Sequence, residues 1–217
     1  MKWPFMQCLT IDGLEQSHAA QVAALCQAGA DWIQIRMKAA SDDDVAEVAS
    51  ACLPKCHEAG VKLIINDRIH VALEVGADGV HLGRLDMNWE DARELAGDGL
   101  IIGGTVNSSD DARRAVRSQA LNYVGVGPFR FTRTKQNLAP VLSEGQWHDI
   151  LVELGGLPAY AIGGIEASDL PSLSAWGLQG VAISSGLFRS GDVVEEYENY
   201  RREWFAREWN PVGLKHI

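Results

Sequence analysis

Ala28-Gly29-Ala30-Asp31-Trp32, Val75-Gly76-Ala77-Asp78-Gly79 and Trp176-Gly177-Leu178-Gln179-Gly180 share one arrangement. In each, a glycine closes an amphipathic stretch and the chain passes at once into an apolar run. Glycine can take the left-handed conformation that ends a helix, so each stretch reads as a tight helix-to-strand turn. Outward from these turns, apolar runs occupy Cys8–Thr10, Trp32–Arg36, Lys62–Asn66, Gly79–Leu82, Leu100–Thr105, Tyr123–Gly127, Ala159–Ile162 and Gly180–Ser184. Helical candidates lie between and after them: Ser17–Gln27, Asp42–Glu58, Asp67–Glu74, Trp89–Leu95, Asp110–Arg117, Glu144–Glu153, Asp169–Ala175 and Asp192–Trp209. About eight strand–helix pairs is the count a closed barrel requires. The runs are nearly continuous in apolar character, as parallel strands covered on both faces demand. The expected fold is therefore α/β, a single (β/α)8 TIM-barrel domain over residues 1–217. Its C-terminal stretch reads as an amphipathic closing helix, and 210–217 as a loose tail. An open doubly wound sheet is disfavoured because no G-x-G-x-x-G follows the first strand.

Composition narrows the partners. Apolar residues make up 47% of 217, enough for one core of that size, and the net charge is -10. A binder of nucleic acid through phosphate contacts needs a basic face or stripe, and none is present. The apolar runs are strand-sized, and Met1-Lys2-Trp3-Pro4 lacks the apolar core of a signal peptide, so no membrane association is expected. Cys8, Cys26, Cys52 and Cys56 read as buried free thiols of a cytoplasmic protein. His57 is the only further ligand near Cys52 and Cys56, too few for zinc. Small phosphorylated molecules are the expected partners, and a homo-oligomer is admitted.

In a barrel the strand ends converge on one mouth, where activity in this fold resides. Gln34, Arg36 and Lys38 alternate along the second strand and share a face, while Ile35 and Met37 take the other. Arg36, Lys38 and Lys135 gather positive charge at the mouth of an acidic protein, which suits a polyanionic ligand. Asp67 and Asp86 follow neighbouring strands, and two carboxylates beside an anion site suit Mg2+. The plainer roles for this pair are a helix N-cap for Asp67 and a turn closure for Asp86. Gly163-Gly164 and Ser184-Ser185-Gly186 follow strands seven and eight, where many barrels bind phosphate with main-chain N–H groups.

These residues form a recognisable set. Gln34-Ile35-Arg36-Met37-Lys38, Asn66-Asp67-Arg68, Gly76 to Gly83 with Asp86, Val124 to Pro128, Thr132-Arg133-Thr134-Lys135 and Ala161 to Ile165 resemble the thiamine-phosphate synthase family, in order, over roughly residues 8 to 190. The resemblance implies a Mg2+-dependent transferase. Hydroxymethylpyrimidine diphosphate loses diphosphate by a dissociative step, and the nitrogen of a hydroxyethylthiazole phosphate attacks the exposed methylene. It further implies Arg36, Lys38, Asn66 and Lys135 on diphosphate, and Asp67 and Asp86 on the metal. Thr105 stands where the family has a diphosphate-contacting serine. Thr132, Thr134, Gly164, Ser184 and Ser185 fall to the thiazole phosphate, and Gln34 to the pyrimidine. Lys135, Thr105 and Arg36 are the expected catalytic residues.

Three departures stand out. Met37 replaces an acidic residue, Phe129-Arg130-Phe131 replaces an Ile-Phe-Pro type of sequence, and 136–144 lacks a glycine-leading run. Loss of that proline is expected to loosen the loop carrying Lys135, since proline restricts φ. A related thiazole tautomerase needs a histidine where this chain has Asn107, and an amide cannot shuttle a proton near neutral pH. A catalytically silent phosphate-ligand-binding barrel is the non-enzymatic alternative. A sugar-phosphate isomerase would need neither the aspartate pair nor the cations.

Overall fold

A computed structural model describes residues 3–131 and 139–206. Eight parallel strands close into one barrel in chain order: β1 Met6–Leu9, β2 Trp32–Ile35, β3 Lys62–Asn66, β4 Gly79–Leu82, β5 Ile101–Val106, β6 Tyr123–Val126, β7 Ala159–Ile162 and β8 Gly180–Ile183. Each strand is followed by a helix: α1 His18–Gln27, α2 Asp42–Glu58, α3 Ile69–Val75, α4 Trp89–Ala96, α5 Ser109–Ser118, α6 Glu144–Leu154, α7 Leu170–Ala175 and α8 Val193–Phe205. Closure is made by β1 against β8, with Gln7 opposite Ala182. No helix among the described residues is long and apolar enough to cross a membrane.

Local chemistry accounts for the element ends. Ser17, Ser41, Ser108 and Ser143 each accept a main-chain N–H at a helix start, and Ser41 and Ser143 complete reciprocal boxes with Asp44 and Gln146. Gly29, Gly76 and Gly177 hold φ of +81°, +71° and +85°, the left-handed geometry expected at these turns. The first strand starts two residues earlier than the apolar run suggests, because pairing with β8 begins at Met6 opposite Val181. The third helix starts at Ile69 rather than Asp67. Asp67 itself lies at φ +67°, outside helical geometry, and is no N-cap.

Strand alternation divides the side chains into two populations. Met6, Cys8, Ile33, Ile35, Leu63, Ile65, Val80 and Ile102 pack outward in the main core with the helices, which also buries Cys52 and Cys56. Met37 packs against this outer core, on the side its strand phase indicates. Leu9, Trp32, Ile64, Tyr123, Tyr160 and Ala182 form a second cluster inside the barrel, with Trp3 against it. Tyr123 sits 4.8 Å from Trp32 and 5.7 Å from Tyr160, ring centre to ring centre, and fills the lower barrel with edge-to-face contacts.

Gly103 is the space this plug requires, since a Cβ there would fall 2.2 Å from Cζ of Tyr123. Gly103→Ala is expected to destabilise the protein by about 1–3 kcal/mol through overpacking. Gly145→Ala on α6, where a Cβ meets nothing within 4 Å, should add about 0.4–1 kcal/mol. Urea unfolding measures both, and a Gly103→Ala midpoint equal to wild type would contradict this packing.

Candidate active site

The interior positions change character from bottom to top of the barrel. Two residues above Trp32 stands Gln34, and two above that Arg36; Ile64 is followed by Asn66, Gly79 by His81, and Gly103 by Thr105. The lower layer is apolar, filled by Trp32, Tyr123 and Tyr160, and the upper layer polar, so the strands deliver hydrogen-bonding groups to the mouth above an apolar floor.

One half of the mouth is built around two carboxylates. Asp67 and Asp86, from the loops after β3 and β4, share a side-chain hydrogen bond. Asp86 also accepts the Gly83 N–H at 2.6 Å, so it closes its turn and faces Asp67 at once. A Cβ on Gly83 would stand 2.9 Å from Oδ2 of Asp86, so the close approach needs glycine. Lys38 forms an ion pair with Asp67, and its main-chain N–H is held by Asp12 at 3.1 Å. Burial works to raise Asp67, but hydrogen bonds from Lys38 and Asp86 and the Lys38 charge outweigh it and hold this carboxyl below its ordinary value. Burial, then the hydrogen bond to Asp67 and its negative charge, push Asp86 up to about 6. Below about pH 6 the pair thus shares one proton, at a place where a cation would serve the same electrostatic purpose.

Beside it, Asn66 is buried and its Nδ2 has no hydrogen-bond partner among the described residues. An amide N–H left bare inside a protein costs about 1–3 kcal/mol, which a ligand acceptor would recover. Arg36 is also buried, with its main-chain N–H on Thr10 Oγ1 at 3.0 Å. Burial lowers its pKa, and the charges of Asp67 and Asp12 oppose that shift. Gln34 lies inside the barrel and donates to Oε1 of Gln7 at 2.9 Å. Thr105 meets Nε2 of His81 at 3.1 Å.

The other half is a cavity of about 340 Å³ at the ends of β6, β7 and β8. Arg36, Asn107, Pro128, Arg130, Phe131, Gly163, Gly164, Ser184, Ser185 and Arg189 contribute to its wall, with Leu9, Ile162 and Ala182 as its apolar floor. Gly163 and Gly164 hold φ of +102° and +65°, and a Cβ on either would stand 2.9 Å from its neighbour across the loop. Oγ of Ser184 is buried without a partner among the described residues. Asn107 spends its amide on the Gly127 carbonyl, a structural use of the position where a tautomerase needs its histidine. Arg36 reaches this cavity, whereas Lys38, Asn66, Asp67, Asp86 and Thr105 do not line it. Thr132, Thr134 and Lys135 lie outside the described residues.

The altered loop has its own anchor. Phe129 packs 5.9 Å from the Trp147 ring and 6.2 Å from Trp176. Arg130 stacks 4.9 Å above Phe129, pairs with both carboxylate oxygens of Asp169 and donates to the Gly164 carbonyl at 3.1 Å. Up to Phe131, therefore, an ion pair and a ring stack restrain the segment that was expected to loosen without proline. The sequence alone does not mark Arg130, Asp169, Gln7, His81 or Tyr123 as site residues. Only the basic residue in a motif otherwise carrying proline offered a signal for the first of them.

Comparison with known proteins follows the same outline. The family described as thiamine monophosphate synthase matches residues 7–187. The chain is 38% identical over 195 residues to the thiamine-phosphate synthase of Bacteroides fragilis, covering 88% of this chain and 95% of that one. It is 41% identical over 174 residues to that of Bacteroides thetaiotaomicron, covering 78% and 83%. Among solved structures, thiamine phosphate pyrophosphorylase from Pyrococcus furiosus superposes with a TM-score of 0.82 at 30% identity, covering 93% of this chain and 96% of that one.

The aspartate pair makes a measurable demand. In metal-free protein one carboxyl of the pair should titrate near pH 6 by 13C NMR, and Lys38→Met should move it upward by removing a charge that lowers it. A carboxyl raised in the folded state holds a proton that the unfolded chain releases. Its contribution to stability is therefore full below about pH 4 and lost as the pH rises through about 6. Ordinary titration of both groups near pH 4 would show that they do not share a site.

Proposed function

The chain belongs to the thiamine monophosphate synthase family and is a transferase that forms thiamine phosphate, and we propose that its two half-sites divide the two substrates between them. The carboxylate half takes the diphosphate of hydroxymethylpyrimidine diphosphate, and the β6–β8 cavity takes hydroxyethylthiazole phosphate. The observation that carries this division is the Nδ2 of buried Asn66, without a partner among the described residues, beside the Asp67–Asp86 pair and apart from a separate glycine-walled cavity.

The residues fit Mg2+. Asp67 and Asp86 would hold a divalent ion, with phosphate oxygens completing a hard-ligand set. When bound, that ion supplies positive charge next to the departing diphosphate. The chain's own groups do the rest. Arg36, Lys38, Asn66, Thr105 and Lys135 donate to diphosphate oxygens, and these bonds strengthen as the carbon–oxygen bond breaks and negative charge collects there. Lys38 is already held in place through Asp67, so its ammonium needs little reorganisation to turn toward a polyanion. Gln34 keeps an amide group for the pyrimidine. The main chain at Gly163-Gly164 and at Ser184-Ser185, with Thr132 and Thr134, holds the thiazole phosphate so that its ring nitrogen faces the methylene. Little proton transfer is required of the protein, in keeping with a mouth furnished with donors rather than a general base. Four free thiols, of which Cys8, Cys52 and Cys56 are buried as expected and Cys26 only half-buried, together with small phosphorylated substrates, support a cytoplasmic setting.

The test varies the two substrates separately. With both phosphorylated halves and Mg2+ present, the protein should release diphosphate and form thiamine phosphate. Thiazole phosphate bound without product would instead establish a silent binding barrel. Lys135→Ala should lower kcat by about a hundredfold while leaving circular dichroism unchanged, and an unaltered kcat would remove that lysine from the mechanism. Asp86→Asn should raise the Mg2+ needed for half-maximal rate by about tenfold or more; an identical metal titration would refute its role as ligand.

A further inference from the structure

Inside the barrel, below the mouth, five side chains from five strands are joined end to end. Nε2 of Gln34 donates to Oε1 of Gln7 at 2.9 Å. Nε2 of Gln7 donates to the Tyr123 hydroxyl at 2.9 Å. That hydroxyl lies 3.1 Å from Nδ1 of His81, and Nε2 of His81 lies 3.1 Å from Oγ1 of Thr105. We infer that Gln7 and Tyr123 are positioning residues for the transferase reaction, acting through His81 to leave the Thr105 hydroxyl hydrogen directed to the departing diphosphate. The inference rests on the functional reading above, because it concerns the same site.

The orientation of the two amides sets the direction of the chain. An amide nitrogen can only donate, so the Tyr123 oxygen accepts from Gln7 and its own hydrogen goes to the remaining neighbour, Nδ1 of His81. Burial pushes the Tyr123 phenol far above its ordinary pKa, so the hydrogen stays available. With Nδ1 accepting, the imidazole carries its hydrogen on Nε2 and donates to Thr105. The Thr105 oxygen then accepts from below and has one hydrogen to give, with no other partner among the described residues. Run the other way, the chain would spend that hydrogen on His81 and present only lone pairs to an anion. Two glycines keep the chain in register. A Cβ at Gly103 would strike the Tyr123 ring at 2.2 Å, and one at Gly125 would press Cε1 of His81 at 3.3 Å.

The experiment is 15N NMR of full-length protein labelled at histidine, with His81 identified by its loss in His81→Gln. Wild type should show His81 as the Nε2–H tautomer. Tyr123→Phe should mix the tautomers and lower kcat about tenfold, the value of one hydrogen bond, with KM for the pyrimidine diphosphate within about twofold of wild type. Thr105→Ser should keep the dependence on Tyr123. In Thr105→Val, the further change Tyr123→Phe should cost little, because the hydroxyl it serves is gone. Hydrogen on Nδ1 of His81 in wild type overturns the inference without any variant. So does a Tyr123→Phe penalty that persists undiminished in Thr105→Val, which would mark a packing effect. Wild type lacking transferase activity would refute the functional reading instead, while the tautomer still reports on the chain itself.

Discussion

Two negative charges brought together at the end of a barrel must be compensated, and the mouth is organised around how that is done. Asp67 and Asp86 come from adjacent strand ends, and a left-handed turn at one and a glycine beside the other let their carboxyls meet. With only protein groups present, Lys38 supplies the compensation, joined below about pH 6 by a proton shared between the two carboxyls. In the proposed reaction, a divalent ion and the donors of Arg36, Asn66 and Thr105 would offer a better one once a diphosphate arrives. The energetic strain of the pair is thus kept where a charged ligand relieves it, a common way for a fold to hold a site ready.

Barrel geometry makes the meeting possible. Parallel strands all point the same way, so each contributes its C-terminal end to one rim, and the two-residue period selects which side chains face inward. Trp32, Gln34 and Arg36 take successive levels of one strand, passing from aromatic to amide to guanidinium. The aromatic plug of Trp32, Tyr123 and Tyr160 keeps the floor dry. A dry floor strengthens the polar chain above it, since hydrogen bonds buried away from water are electrostatically stronger. Floor and mouth are coupled through Tyr123, which belongs to both.

Much of this was legible in the residues themselves. The runs at Lys62–Asn66, Gly79–Leu82 and Ala159–Ile162 and the helix Asp42–Glu58 have the ends expected of them, because their boundaries carry strong local signals. The start of β1 was not legible, since only its pairing with β8 decides it. Gln34, Arg36 and Lys38 could be assigned one face from alternation alone, and Asp67 and Asp86 could be placed on neighbouring strand ends. That Lys38 pairs with Asp67 could not, because it depends on the left-handed turn at Asp67. Tyr123 and His81 stood within apolar runs and Gln7 just before one, and all looked like ordinary strand residues; their link spans 116 positions between Gln7 and Tyr123 and exists only once the barrel closes. Phe131 takes the place of a proline, and the restraint that Arg130 provides through Asp169 and Phe129 could not be read from the residues, because Asp169 lies 39 positions away.

The central claim is that Asp67 and Asp86 form a divalent-metal site on the diphosphate half of the mouth, apart from the cavity walled by Gly163 and Gly164. Crystals grown with Mn2+ and inorganic diphosphate test this directly through the anomalous signal of the metal. The account predicts a peak between the two carboxylates, with diphosphate oxygens reaching Asn66 and Lys38. Metal and diphosphate bound instead against Gly164 and Ser185, with Asp67 still paired to Lys38, would contradict it.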